Sequence, residues 1–155
     1  MIENKTFDEL TVGQSDSLSR TLTQEDIVAF AAVTHDTNPA HLDEEYAKNT
    51  LFKGTIAHGM WTAGVISAIL GTQFPGAGTI YLGQTMQFRR PVRAGDTVTV
   101  TVTVKEKNEE NGQVVLDCLV TNQKDEKVVV GEARVIAPKE KIRHEAIAVP
   151  KITIG

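Results

Sequence analysis

The chain has 155 residues, 41% of them hydrophobic and 23% charged, with a net charge of −4 and a single cysteine. That length and balance describe one globular domain with a sizeable core. They rule out an internal disulfide, and with no block of basic residues they argue against nucleic acid as a partner.

Residues 1–12 are mixed in character. MIENKTFDEL lacks the basic-then-apolar pattern of an export signal, so the cytoplasm is the expected location. Gly13–Leu22 alternates weakly and is predicted as a strand. Thr23 followed three residues on by Asp26 forms a variant of the capping box, and Ile27, Phe30, Ala31 and Thr34 then fall at helical spacing. A first helix is predicted over 23–34. It should stop by Thr37, because Pro39 pushes Asn38 out of the α region and Asp36 and Asn38 favour side-chain turns. Asp36 and His41 are therefore expected on a tight loop, not on a helix face. Leu42–Asn49 reads as a short helix with Tyr46 and Ala47 on its buried side, and Leu51–Ile56 as a loop or short strand.

From Met60 to Leu70 no charge appears, and Thr62 and Ser67 are the polar interruptions. Such a helix, apolar all round, belongs inside a core, and it falls short of the ~20 residues that span a bilayer. No membrane association is expected. Gly71, Pro75, Gly76 and Gly78 mark a loop. The period then changes to two. Ile80, Leu82, Gln84, Met86 and Phe88 are predicted to share one strand face, and Val98, Val100, Val102 and Val104 alternate with threonines. Lys105–Gly112 reads as a charged hairpin tip with Asn111-Gly112 in the turn. Val114–Val120 and Lys127–Ala137 are the last strands predicted. The tail, residues 139–155, leaves this pattern, so the domain is expected over 1–138. The tail reads as a linker-like remnant or as an extension over a partner subunit. Consecutive strands on short turns imply an antiparallel sheet, and an apolar helix needs a sheet face. The fold class is α+β, with an antiparallel sheet wrapped around a central apolar helix.

Asp36 and His41 stand five residues apart with Asn38-Pro39 between them. A loop stiffened in this way can present an acid and an imidazole to one reacting molecule and let them share one water. The same residues also make ordinary turns. His58-Gly59 opens the apolar helix, where free N–H groups and the positive end of the dipole gather. Glycine lets a ligand approach that backbone, which suits a developing oxyanion; it also relieves a tight entry turn. Asp36, His35, His41 and His58 match no metal-ligand spacing, and no metal is expected. Cys118 reads as a small buried hydrophobe.

FAAVTHDTNPAH (Phe30–His41) followed by AHGM (Ala57–Met60) resembles the MaoC-like family, the (R)-specific enoyl-CoA hydratases. The likeness runs from about Phe7 to Ala137 and includes IYLGQTMQFRRPVRAGD (Ile80–Asp96). One departure is visible: the residue before the aspartate, often glycine, is His35. The resemblance implies the hot-dog fold and reversible addition of water to a trans-2-enoyl-CoA, giving the (R)-3-hydroxyacyl-CoA. Asp36 and His41 would activate water and deliver a proton, and the Gly59 N–H would hold charge on the thioester oxygen. No cofactor is implied. Asn38, His58 and Ser67 are further candidates for substrate contact, though Ser67 equally suits a bond to its own backbone. Trp61 and Leu70 are expected to bound the acyl pocket and to favour short chains of roughly four to six carbons. Arg89 and Arg90, with Lys53 and Arg93, are candidates for the phosphates of coenzyme A. Two other functions fit: a hot-dog thioesterase on the same acyl-CoA class, and a non-catalytic acyl-CoA-binding module. A homodimer is expected, partly from the family and partly because valine-rich strands would otherwise expose an edge. Polyhydroxyalkanoate precursor supply and fatty-acid breakdown both suit such an activity.

Overall fold

The valine–threonine alternation of Thr97–Val104 sets the middle of the structure. Val98, Val100, Val102 and Val104 are buried, while the threonines between them are partly exposed. This strand belongs to a five-stranded sheet in a computed structural model that describes all 155 residues. In chain order the elements are β1 (Ile2–Glu3), β2 (Ser15–Thr21), α1 (Gln24–Thr34), α2 (Pro39–Leu42), α3 (Glu44–Ala47), α4 (Gly59–Thr72), β3 (Ile80–Phe88), β4 (Thr97–Asn108), β5 (Gln113–Thr121), β6 (Lys127–Ile136) and β7 (Arg143–His144). A short 3₁₀ turn, Phe7–Glu9, precedes β2. The main sheet has the order β2-β4-β5-β6-β3, and every pairing in it is antiparallel. Val65, Ile66, Ile69 and Leu70 of α4 share one core cluster with the inward valines of β4 and with Leu116, Val129, Ala133 and Val135. The predicted sheet-around-helix architecture is the one observed.

Helix α1 begins as its sequence predicts. The Thr23 hydroxyl accepts from the Asp26 N–H at 3.1 Å, and the Asp26 carboxylate accepts from the Thr23 N–H at 2.9 Å. It ends on His35, whose φ of 65° is left-handed. Glycine adopts that conformation most cheaply, which accounts for the glycine often found at this place in the resembling family.

Five expectations change. The strand β3 pairs with β6, not with its successor β4, so residues 89–96 carry the chain from one sheet edge to the other region of the sheet. Tyr81 faces Val135 and Gly83 faces Arg134, so Leu82 is an extra residue and the alternation inverts there. Tyr81, not Ile80, consequently shares the face of Gln84, Met86 and Phe88. The predicted helix over 42–49 is two four-residue pieces, and Tyr46 is 50% exposed while Ala47 is buried. Helix α4 is buried on one side only: Met60 is 57% exposed, and Gly64, Ser67 and Ala68 also face outward. The tail contains a strand, since β7 pairs with β1 through Ile2↔His144 and Glu3↔Arg143.

Close to that pairing, the buried Asn4 side chain donates to the carbonyls of Ala77 and Glu140 and accepts from the N–H of Ile142. Lys141 pairs with Glu9 at 2.6 Å and donates to the Asn4 carbonyl. Beneath β3, Gly131 has no room for a side chain, because a Cβ there would lie 1.8 Å from the Thr85 carbonyl oxygen. Cys118 is buried on the inner face, and burial pushes its thiol up to about 11, which leaves it without reactive thiolate.

Candidate active site

Residues 35–58 carry little regular structure, and side-chain caps hold them in shape. The Asn38 carboxamide oxygen accepts from the Ala40 N–H at 3.0 Å and caps α2, with Pro39 at its first position. The Asp43 carboxylate caps α3 in the same way through Tyr46 N–H at 3.1 Å. His41 is therefore in a single helical turn rather than on an open loop, a correction that follows from the Asn38-Pro39 start signal. Asp36 lies between α1 and α2, exposed, with its carboxylate accepting from Asn38 N–H at 3.2 Å.

Two tethers draw this segment to the start of α4. His41 Nδ1 donates to the Ile56 carbonyl at 2.7 Å, and His58 Nε2 donates to the Asp36 carbonyl at 2.9 Å. These partners are carbonyl oxygens, so each bonded nitrogen carries a hydrogen, which leaves the other nitrogen of each ring as the one not engaged by a carbonyl. The two imidazoles stack with centroids 3.8 Å apart and an interplanar angle of 28°, and Phe30 lies against the outer side of His58 at 4.8 Å. One ligand-type atom from each of Asp36, His41 and His58 lies within 4.8 Å of the others. This triplet is a poor metal cage. Nearly parallel stacked rings direct their in-plane lone pairs side by side instead of toward one ion.

Two cavities meet at His58 and Gly59. The first, about 310 Å³, is lined by His41, Phe52, Thr62, Phe88, Arg89 and Val92 among others. The second, about 570 Å³, is lined by Phe30, Asp36, Met60, Ala63, Gly64 and Ser67 together with His58 and Gly59. Gly59 is the first residue of α4, so its N–H has no acceptor within the helix. A Cβ at Gly59 would lie 2.7 Å from the Phe88 ring, so the glycine is what lets that ring close over the helix start.

Of the residues singled out in the sequence, Asp36, His41, His58, Gly59, Ser67, Arg89 and Arg90 line these cavities. Arg90 pairs with Glu126 at 3.2 Å, Arg89 donates to Gln87 at 2.9 Å, and Arg93 donates to the Phe52 carbonyl. Lys53 and Arg93 flank an adjoining depression that shares Phe52. Asn38 lines neither cavity; its side-chain oxygen is occupied as a cap. Trp61 and Leu70 correct the expectation of an acyl-pocket floor. Leu70 is 1% exposed in the core, Trp61 packs against the same core, and neither lines either of these two cavities, because both project from the sheet-facing side of α4. Thr62, buried three residues after Gly59, and Phe88 were missed as lining residues. Thr62 left a trace as a polar residue in an apolar helix, whereas Phe88 required knowing where β3 lies.

An antiparallel sheet curled around one central helix, with a polar site at that helix's N-terminus, defines a hot-dog domain. Residues 9–127 match the MaoC like domain. The chain belongs to the MaoC-like family. It is 48% identical over 134 residues to the (R)-specific enoyl-CoA hydratase of Rhodospirillum rubrum, covering 85% of this chain and 91% of that protein. Its identity to the (R)-specific enoyl-CoA hydratase of Aeromonas caviae is 42% over 129 residues, covering 83% and 96%. The solved structure of the R-hydratase PhaJ1 from Pseudomonas aeruginosa, in its unliganded form, matches with a TM-score of 0.93 at 45% identity over 99% of both chains.

Proposed function

We propose that this chain is an (R)-specific enoyl-CoA hydratase, a hydro-lyase that adds water reversibly to a trans-2-enoyl-CoA to give the (R)-3-hydroxyacyl-CoA. The observation that carries the reading is the grouping of Asp36, His41 and the free N–H end of α4 where two cavities meet. A water between Asp36 and His41 loses a proton to the pair as its oxygen bonds to C3. The electrons of the C2–C3 double bond move toward the thioester oxygen, where the Gly59 N–H and the positive end of α4 stabilise the charge. A proton from the pair then goes to C2. With its Nδ1–H engaged by Ile56, His41 has Nε2 as the nitrogen free to exchange that proton. The acid and the imidazole act as one coupled unit, and neither alone is the base.

Arg89 and Arg90 at the rim of the first cavity, with Lys53 and Arg93 beside it, supply positive charge for the phosphates of coenzyme A. No helix is long and apolar enough to cross a membrane. The expected location is the cytoplasm, where the reaction would supply (R)-3-hydroxyacyl units for polyhydroxyalkanoate or enter fatty-acid breakdown.

The working unit is a homodimer. The two free sheet edges support this reading by their contrast. The β2 edge is SDSLSRT, polar and partly charged, which discourages pairing. The β3 edge is IYLGQTMQF, uncharged, with Ile80, Leu82 and Phe88 largely exposed. The valine-rich β4 is internal, so the edge in need of cover is β3. Incubation with crotonyl-CoA tests the activity: the enoyl-thioester absorbance should fall, the product should have R configuration, and no free thiol should appear. Unchanged absorbance, or thiol release, would overturn the assignment. A monomer in sedimentation at micromolar concentration would overturn the dimer.

A further inference from the structure

His58 is the N-cap of α4, yet its side chain makes no bond to its own helix. It turns away and donates to the carbonyl of Asp36, twenty-two residues earlier in the chain. The other hydrogen bonds of Asp36 are local: its N–H to the Thr34 hydroxyl, and its carboxylate to the Asn38 N–H. The bond from His58 is thus the one that ties Asp36 to another part of the molecule. His41 is differently placed. It is anchored independently through Ile56, and the Ile56 N–H adds a bond to the Ala40 carbonyl at 3.1 Å. The segment 56–58 is in turn fixed to the sheet side by the Ala57 N–H, which donates to the Val92 carbonyl at 2.7 Å.

His58 is 3% exposed, held between Phe30 and His41, and its Nδ1 has no partner in the chain. Taking an imidazole out of water is costly, so a residue chosen only for packing here would be apolar. A ring that accepts that cost to place one N–H is there for the N–H. We propose that His58 is a positioning residue: it holds the Asp36 peptide against the stacked His41 ring and the start of α4, so that acid, imidazole and Gly59 N–H keep one fixed geometry. This inference rests on the reading that Asp36 and His41 work on an enoyl thioester.

The test compares H58Q with H58M in the full chain. The two side chains have similar volume and flexibility, and the glutamine amide can present an N–H near the position of Nε2, whereas methionine has no donor. H58M should lower kcat for crotonyl-CoA by about 10²-fold, the scale on which a ~1 Å misplacement acts, with KM nearly unchanged. H58Q should recover most of that loss. Amide hydrogen exchange of Asp36 and Asn38, whose N–H groups bond within the turn, should be faster in H58M than in H58Q. Equal kcat and equal exchange in the two variants would overturn the positioning role. Wild-type protein that fails to hydrate crotonyl-CoA would instead overturn the functional reading, and the exchange comparison would still decide the role of His58.

Discussion

Residues 97–136 and residues 35–59 are built on opposite plans. The first segment is a backbone ladder of β4, β5 and β6, in which strand alternation buries one valine after another. The second has two helical pieces of four residues each and keeps its shape through caps and single tethers: Asn38, Asp43, His41 and His58. Strength in the ladder is distributed over many equivalent contacts. In the other segment, individual side chains carry the geometry and also face the cavities. Damage to the ladder should therefore appear in melting temperature and damage to the tethered segment in rate.

The largest separation of the two should come from the site. Asp36→Asn keeps the shape and removes the anion, and His41→Ala removes the imidazole. Each should lower kcat by ~10²–10⁴, the usual worth of general acid–base catalysis, with KM and melting temperature little changed. The double variant should be scarcely slower than the poorer single one, because groups acting as a unit do not add. A folded Asp36→Asn protein with near-normal kcat would dissolve the distinction between the regions. The reverse experiment is Leu116→Ala, at a fully buried position of β5. It should cost about 2–5 kcal/mol of stability, read from denaturant unfolding, while kcat per folded molecule stays near wild type.

Gly59→Ala probes the seam between the two regions. The added methyl meets the Phe88 ring of β3, which must shift to clear it and so reshapes the cavity it lines. The N–H donor remains, so a fall in kcat of about 10-fold is expected, smaller than the roughly 10²–10³ for losing an oxyanion donor outright. Steady-state kinetics beside a thermal melt would check it. The smallest effect lies outside both regions, at Glu9. Hydrogen bonds from Lys141 and Thr6 hold its carboxyl down to about 2, well below its ordinary value of 4.5. A depressed folded value stabilises above the unfolded one, so this contribution is complete above pH 4.5 and fades as pH falls toward 2. Glu9→Gln should flatten the acid limb of melting temperature against pH in that window and leave kcat unchanged. Glu9 is exposed at the surface, so the change should be slight.

The same contrast explains what the sequence made legible. Local signals carried through: Thr23 and Asp26 start α1, the Thr-Val repeat is β4, and Asp36-x-Asn-Pro marks a break with an acid on it. Nonlocal facts did not. Nothing local says that β3 pairs with β6, and the inverted alternation at Leu82 depends on what lies across the ladder. The apolar run of α4 is legible as a helix, but which of its residues face the sheet depends on crossing geometry, so Trp61 and Leu70 were expected at a cavity they do not reach. The approach of His41 to His58 was equally invisible, because their seventeen-residue separation has no period; it is set by the Ile56 carbonyl and the Asp36 carbonyl. His35 is the converse case. Its departure from the family's glycine is plain in the sequence, while its left-handed backbone explains why glycine is favoured there.

The pairing of Ile2 with His144, braced by Asn4, turns the domain topologically into a closed ring. The peptide bonds from residue 2 to residue 144 run once around that ring and return to the neighbouring strand. The order in which the elements are synthesised is then separable from the architecture. A short bridge from residue 144 to residue 2 would span neighbouring strands, and the exposed turn residues 109–111 offer a place to open new ends, far along the chain from Asp36, His41 and Gly59. What identifies the domain, on this view, is the cyclic sequence of elements around α4, with the break between residues 144 and 2 as one place among others to cut it.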